Sequence, residues 1–217
     1  MDMIALLIIT AIPTTAGVAQ AISAQRNKDK EKIDERRMKK FHLDVRCAGD
    51  SKQAKELNGG RIVVKADRLW VGPPDVVQKG DYGYVAESFY IEYPDPERAP
   101  APLGLVSQVW DDPPLLNWIY VDKDTMELKY GGKSASIAHH IGPWDWSQDE
   151  EQVVFDDMEA AFINAFYAVE RLPGKWQLFF DWKGDQLAGY LPAKMNKVQV
   201  ELHRNMVVTA EEAETAT

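Results

Sequence analysis

The stretch FHLDVR at residues 41–46 alternates apolar and polar side chains, and KVQVELHR at residues 197–204 repeats this alternation near the other end of the chain. A period of two is typical of a β-strand that buries one face and exposes the other. Short runs rich in β-branched and aromatic residues lie between the two stretches, separated by glycine, proline and aspartate. The sequence therefore predicts a β-rich domain over residues 41–208.

Turn residues between the apolar runs predict how the strands pair. Three hairpins are expected, in which residues 61–65 pair with 68–72, 117–122 with 125–130, and 166–171 with 175–182. Two longer strands are expected at residues 83–93 and 104–110. About ten strands at this spacing predict a mainly β fold, either an antiparallel sandwich or a barrel-like domain.

One segment of the β-rich region favours a helix instead. Met158 and Phe162 fall on one face of a helix, and the acidic residues just before them suit its first turn. We therefore predict a short helix over residues 156–164, followed by a strand.

Composition limits the classes of function. The chain has 217 residues, of which 45% are hydrophobic, and a formal net charge of −9. One domain of this size can fill a core, and its acidity argues against a nucleic-acid partner, which needs a basic stripe. Cys47 is the only cysteine, so no intramolecular disulfide can form, and no Asn-x-Ser/Thr acceptor occurs. Both observations favour a cytoplasmic protein, with secretion as the alternative.

Residues 1–24 form an apolar N-terminal segment that begins MDMIALLIIT. Four interpretations stay open: a cleaved secretory signal, a membrane span, a segment lying in the membrane interface, and a strand or helix packed on the domain's own core. The early positive charge of a signal is missing, and Pro13 interrupts the span. Membrane association through this segment is therefore one expectation among these.

The next segment, residues 25–40, is almost wholly charged and contains neither proline nor glycine. Its alternating charges predict a solvated connecting helix. Eight basic against four acidic side chains give this stretch a net charge of +4 in an otherwise acidic chain. An anionic membrane surface is an expected partner of the basic side chains, which are Arg26, Lys28, Lys30, Lys32, Arg36, Arg37, Lys39 and Lys40. Residues 209–217 form an acidic tail that we expect to be disordered.

Known catalytic and cofactor-binding motifs are missing from the sequence. It contains no G-x-G-x-x-G, no G-x-x-x-x-G-K-[ST], no G-x-S-x-G and no H-E-x-x-H. A single cysteine also excludes C-x-x-C. We therefore expect no cofactor and no metal, and we favour a protein that is not an enzyme.

The stretch AHHIGPWDW at residues 138–146 concentrates histidine, tryptophan and an acid. Three interpretations stay open: the tryptophans plug one end of the β structure, the stretch lines a ligand pocket, or it holds a metal or catalytic site. Adjacent histidines on a strand face opposite ways, so they cannot both bind one metal without a bulge. The candidate ligand-binding residues are His139, His140, Trp144, Asp145, Trp146, Trp118 and Tyr120.

Three stretches of the sequence belong together: WIYVDKDT at residues 118–125 with the following LKYG, GPWDW at residues 142–146, and AIPT with Gly17 and Val18 near the N-terminus. They resemble a group of proteins from filamentous fungi to which no activity is assigned. The resemblance spans most of the chain. It implies a stand-alone single domain and no particular activity.

These observations favour a non-enzymatic binding or interaction module, a β domain behind a charged helix, with membrane association through its N-terminal segment. The expected partner is a protein or a small ligand, with no nucleic acid. The alternative is a small-ligand-binding or enzymatic β domain whose pocket is lined by tryptophan and histidine.

Overall fold

The computed structural model describes residues 27–28, 30–76, 83–111, 114–157, 160–162 and 165–208. The predicted apolar segment 1–24 and the acidic tail 209–217 lie outside these residues. Residues 27–28 and 30–37 are helical, inside the stretch predicted as a connecting helix. The chain divides after Arg37, and the unit from Met38 onward holds the β domain. None of the helices in the described part of the chain combines the length and hydrophobicity needed to cross a membrane.

The β domain contains fourteen strands and two short helices in its described residues. The strands are β1 (Phe41–Arg46), β2 (Arg61–Lys65), β3 (Arg68–Gly72), β4 (Tyr84–Val85), β5 (Glu87–Glu92), β6 (Leu103–Asp111), β7 (Pro114–Val121), β8 (Leu128–Gly131), β9 (Trp144–Trp146), β10 (Val153–Asp157), β11 (Ala160–Phe162), β12 (Phe166–Leu172), β13 (Lys175–Phe180) and β14 (Lys197–Met206). The helices are α1 (Lys52–Leu57) and α2 (Lys133–Ser136).

Nine strands form a closed antiparallel barrel. Their order is β13-β12-β14-β1-β5-β6-β7-β8-β3, and β3 pairs back onto β13 to close the ring. Strand β2 pairs with β3 and also meets β1, while β4 adds to β2. Strands β9, β10 and β11 form a separate three-stranded sheet. The predicted mainly β, barrel-like fold is therefore confirmed.

The two alternating stretches that predicted the fold are neighbours in the barrel. β1 and β14 pair without a register shift from Phe41 opposite Met206 to Arg46 opposite Glu201. Phe41, Leu43 and Val45 are fully buried, whereas the residues between them are partly exposed. The apolar half of the alternation thus faces the core, and the polar half faces outward.

The three predicted hairpins are confirmed, and two other predictions are wrong. The single strand expected over residues 83–93 is interrupted at Ala86, which separates β4 from β5. The described part of residues 156–164 is not the expected helix, because residues 156–157 end β10 and residues 160–162 form β11, which pairs with β10. β10 also pairs with β9, so Phe155 is buried opposite Trp144. These cross-strand contacts override a local helical pattern of only a few residues.

Helix α1 was not predicted, although its start carries a capping signal. The Ser51 hydroxyl accepts a hydrogen bond from the backbone N–H of Ala54 at 3.0 Å, which satisfies one of the free donors of the first turn. Ala54 and Leu57 bury its short apolar face. The helix holds Glu56 and the following Asn58 against the barrel, where both contribute to the surface sites described below.

Candidate functional site

The residues predicted as a site lie in several different surroundings. Trp118 and Tyr120, on β7, join a small apolar cluster with Tyr93 and Ile141. The Trp118 and Tyr93 rings lie 4.6 Å apart between centroids, and the Tyr93 hydroxyl lies 2.9 Å from the buried Ser136 hydroxyl. This cluster fastens β7 and α2 to the loop that precedes β6.

His139 stacks on Tyr120, with ring centroids 5.1 Å apart. Its Nδ1 accepts a hydrogen bond from the backbone N–H of Lys123 at 3.3 Å. One potential ligand atom each from Asp122, Asp124 and His139 lie within 4.8 Å of one another, a spacing at which a cation could be held. Donors of the chain itself, however, already occupy both oxygens of the Asp122 carboxylate.

The Asp122 carboxylate accepts a hydrogen bond of 2.6 Å from the Lys129 ammonium and two of 3.0 Å from the backbone N–H groups of Asp124 and Thr125. Burial alone would raise the pKa of Asp122, but these donors outweigh it and lower the pKa to about 2. A metal ion would have to displace the Lys129 ammonium. The cluster is therefore explained as an ion pair that closes the hairpin of β7 and β8.

His140 turns away from its neighbour. Its ring stacks on Trp182 at 4.0 Å, and its backbone makes two hydrogen bonds with Val121. His139 and His140 thus contact different rings and do not converge on one site.

Trp144 is a core residue. It is fully buried and packs against Phe155 and Phe166, at ring distances of 4.7 and 6.3 Å. Trp146 ends β9, the strand that begins at Trp144, and its ring meets the Tyr90 ring edge-on. The Asp145 carboxylate accepts a hydrogen bond from the Trp146 backbone N–H. Among the predicted residues the structure therefore brings together Trp118, Tyr120 and His139, and it places His140 and the 144–146 stretch elsewhere.

A polar cleft of about 610 Å³ opens on the outward face of β1 and β14. We call it the β1–β14 cleft. Strands β1 and β14 supply most of its lining, the turn after α1 supplies a corner, and the loop before β10 supplies a wall. Its lining residues are Asp44, Val45, Arg46, Asn58, Gly59, Glu151, His203, Arg204, Asn205 and Met206.

The carboxylate of Asp44 is an acceptor in the β1–β14 cleft that three hydrogen bonds hold in place. The Arg61 guanidinium donates to both of its oxygens, at 2.8 and 3.3 Å, and the Asn205 amide donates at 2.7 Å. Partial burial would raise the pKa of Asp44, but the hydrogen bonds from Arg61 and Asn205 hold it below its ordinary value. Asp44 is therefore ionised at neutral pH and fixed in orientation. Within the described part of the chain, its Oδ1 accepts only the Arg61 bond of 2.8 Å, so a ligand hydroxyl can donate to the remaining lone pair.

Two neighbouring groups set the charge and the donors of the cleft. Burial and the positive charge of Arg61 lower the pKa of His42, which lies beside Asn205 in the sheet, so its imidazole is neutral at pH 7. The Asn58 side-chain oxygen accepts from the backbone N–H of Cys47 at 3.2 Å, which leaves the exposed amide nitrogen as a donor for a ligand.

The outer wall of the cleft is held by Arg204. Its guanidinium lies over the rings of Phe41 and Trp146, at 4.8 and 4.7 Å from their centroids, and donates to the Glu150 carbonyl at 2.8 Å. The Arg204 backbone N–H donates to the Glu151 carbonyl at 2.7 Å. This cation–π arrangement ties the loop of the small sheet to β14 and places Glu151 at the cleft.

Sequence reasoning missed this cleft, although its residues belong to the two stretches that predicted the fold. Their polar positions were interpreted only as a solvated face. The sequence nevertheless contained an indication of the cleft. Hydrogen-bonding side chains occupy the outward positions of both strands, with Asp44 and Arg46 on one and His203 and Asn205 on the other.

The closed ring of antiparallel strands, with a polar cleft on its outer face, defines the class of protein as an all-β barrel domain. A family model described as "Fungal beta-trefoil domain" matches residues 17–208. The chain therefore belongs to the fungal β-trefoil domain family, which confirms the resemblance to fungal proteins and indicates a binding or interaction module. No curated protein and no solved structure matches the chain.

Proposed function

We propose that the chain is a binding module whose β1–β14 cleft takes a neutral, hydroxyl-rich ligand of the size of one or two sugar rings. The observation that carries this proposal is the fixed Asp44 carboxylate, which shares one cleft of about 610 Å³ with the Asn58 amide and the Arg46 guanidinium. Ligand cavities of this volume accommodate small molecules.

The mixture of charges in the cleft favours a neutral ligand. Asp44 and Glu151 would repel a phosphate or carboxylate, while Arg46 would repel a cation. A sugar hydroxyl can both donate to a carboxylate and accept from an amide or guanidinium. It is therefore the group that this set of side chains pairs best.

The proposal is tested by saturation-transfer NMR of the protein with glucose, galactose, mannose and N-acetylglucosamine, followed by calorimetric titration of the best sugar. Asp44→Asn should weaken binding about tenfold, since a hydrogen bond to a charged group contributes about 1.5–3 kcal/mol. Asp124→Asn is the matched control, because Asp124 is exposed and lies outside the cleft lining. The proposal fails if none of the four sugars shows transfer at millimolar concentration, or if both variants bind alike.

A second proposal concerns the charged helix, which we describe by itself. We propose that it attaches the protein to an anionic membrane surface on the cytoplasmic side. Lys28, Lys30 and Lys32 are exposed, and residues 26–40 carry a net charge of +4. Basic residues near an anionic bilayer each contribute about 1 kcal/mol of attraction.

Cosedimentation with phosphatidylcholine vesicles, with and without phosphatidylserine, tests this second proposal. The full chain should bind only the phosphatidylserine vesicles, and binding should weaken as salt is added. Changing Lys28, Lys30 and Lys32 to glutamine should reduce binding at least tenfold. The same change at Lys52, Lys133 and Lys194, which are exposed residues of the β domain, should leave it unaltered. Equal binding to both vesicle types would contradict the proposal.

A further inference from the structure

A groove lined mainly by apolar side chains lies on another part of the barrel surface, where β3 meets β13. It has a volume of about 250 Å³, and we call it the Trp70–Trp176 groove. Its lining residues are Val63, Lys65, Trp70, Val71, Leu172, Lys175 and Trp176. None of them lines the β1–β14 cleft.

The groove forms where strand pairing stops. The register between β3 and β13 joins only Trp176 with Val71 and Gln177 with Trp70. The hairpin of β12 and β13 then turns at Leu172 and Lys175, past a bulge in β12. The two strands therefore leave a depression at the turn, lined by the partly buried Trp70 and by Trp176, which is 3% exposed.

Both indole rings are fixed by hydrogen bonds made within the chain. The Trp70 indole N–H donates to the Lys65 carbonyl at 3.1 Å, and the Trp176 indole N–H donates to the Glu56 carboxylate at 3.0 Å. An occupant therefore need not supply an acceptor for either ring. Because the rings are held before binding, little conformational entropy is lost when an apolar group enters.

The rim adds an exposed apolar side chain and positive charge. Leu172 is 64% exposed, and Lys65 and Lys175 are both exposed at the groove. Two lysines at one small apolar site contrast with the chain's net charge of −9. The Glu56 carboxylate at the Trp176 indole offsets one of these charges, and the two lysines still leave a net positive charge at the rim, which is complementary to an anionic partner.

We propose that the Trp70–Trp176 groove is a docking site for a protein partner, and that it takes one bulky apolar side chain flanked by acidic residues. A volume of about 250 Å³ is below the range of about 300–1,000 Å³ typical of small-molecule pockets, and it suits a single anchoring side chain. Tryptophan-lined pockets of this kind are where interface hot spots occur, surrounded by a polar rim. This inference is independent of the ligand proposed for the β1–β14 cleft.

The test uses blocked heptapeptides Gly-Glu-Glu-X-Glu-Glu-Gly in which X is leucine, phenylalanine or alanine, together with a lysine version of the leucine peptide. Binding to the full chain is followed by NMR through the indole N–H signals, assigned with Trp70→Phe and Trp176→Phe. The acidic leucine and phenylalanine peptides should shift the Trp70 and Trp176 signals. The alanine peptide and the lysine peptide should not.

Variants of exposed residues keep the test independent of folding. Lys65→Glu combined with Lys175→Glu should weaken the acidic leucine peptide about tenfold, and Leu172→Ser should weaken it several-fold. Lys133→Glu combined with Lys194→Glu is the control, since it makes the same change in net charge at exposed lysines outside the groove. Equal weakening by both pairs would overturn the proposal, because it would show only an effect of overall charge.

Two further outcomes would also overturn it. One is that no peptide shifts the indole signals at millimolar concentration. The other is that free phenylacetate binds as tightly as the acidic phenylalanine peptide, which would mean that the groove takes a small anion and gains nothing from a peptide backbone.

Discussion

The stretch at residues 138–146 and the outward face of β1 and β14 both contain many histidine, tryptophan, charged or amide side chains, but their surroundings differ. In the 138–146 stretch, Trp144 is buried in the core, and His139 and His140 each stack on another ring. On the outward face, a carboxylate and an amide are held in place beside a cleft. A dense cluster of such residues therefore indicates a binding site only where the side chains remain accessible to a ligand.

Removing the core residue of the 138–146 stretch should have the largest effect. Trp144→Ala should lower the free energy of unfolding by about 3–5 kcal/mol, because it leaves a cavity between Phe155 and Phe166. Urea denaturation monitored by far-ultraviolet circular dichroism measures this loss. Ile137→Ala, at a residue 40% exposed that directly precedes this stretch, should cost less than about 0.5 kcal/mol.

A Trp144→Phe variant separates the contribution of packing from that of the indole N–H. The buried indole N–H of Trp144 has no hydrogen-bond partner among the residues that the structure describes. Trp144→Phe removes this donor together with some volume, so its cost should stay below about 2 kcal/mol. A cost equal to that of Trp144→Ala would contradict the view that packing, rather than polarity, is what this residue contributes.

The second-largest effect concerns the ion pair at the end of β7. Asp122→Asn should cost about 2 kcal/mol at pH 7, because the pKa of Asp122 falls from an ordinary 3.8 to about 2 in the folded protein. Because the pKa of Asp122 is lower in the folded protein than in the unfolded chain, the ionised carboxylate stabilises the folded state when the pH is above the unfolded-state pKa. This stabilisation is lost as the pH falls through the folded-state pKa of about 2.

The difference between wild type and Asp122→Asn should therefore be complete above about pH 4 and should shrink between pH 4 and pH 2. Urea denaturation across this pH range measures it. Asp124→Asn, at an exposed neighbour, should show little effect at any pH. A difference that stays constant down to pH 2 would argue against the ion pair with Lys129.

These residues also show how far the sequence predicts the structure. The alternation at residues 41–46 was sufficient to assign the inward and outward faces of β1, because the period of a strand is local. The pairing of β10 with β9 was not predictable, since it depends on Trp144 lying opposite Phe155 after the chain has folded. The sequence of residues 156–164 has a weak helical pattern, and these tertiary contacts override it.

The β1–β14 cleft could not be predicted from local sequence patterns for the same reason. The hydrogen bond between Asn205 and Asp44 joins residues 161 positions apart, and the donor at Asn58 is positioned by a six-residue helix. Nothing in the spacing of these residues brings them together. In contrast, the 138–146 stretch attracted a site prediction because its residues are adjacent in sequence, yet the folded chain directs His139, His140 and Trp144 to different rings.

A third effect should come from the wall of the cleft. Arg204→Met should cost about 1–2 kcal/mol, because it removes the cation–π contacts with Phe41 and Trp146 and the hydrogen bond to the Glu150 carbonyl. Arg46→Met is the matched control, since Arg46 lines the same cleft but is exposed. Equal costs for the two variants, measured by urea denaturation, would mean that Arg204 does not fasten the loop to β14.

The smallest effect should come from the cap of α1, and it should reach both surface sites. Ser51→Ala should cost about 1 kcal/mol, because the Ala54 N–H loses its acceptor. Ser51→Asp should retain the stability, since aspartate also caps a helix start. The helix positions Asn58 at the cleft and Glu56 under the Trp176 indole. Ser51→Ala should therefore shift the Trp176 indole N–H signal as well as lower the stability, and a loss of stability without that shift would mean that α1 stabilises the barrel without orienting either site.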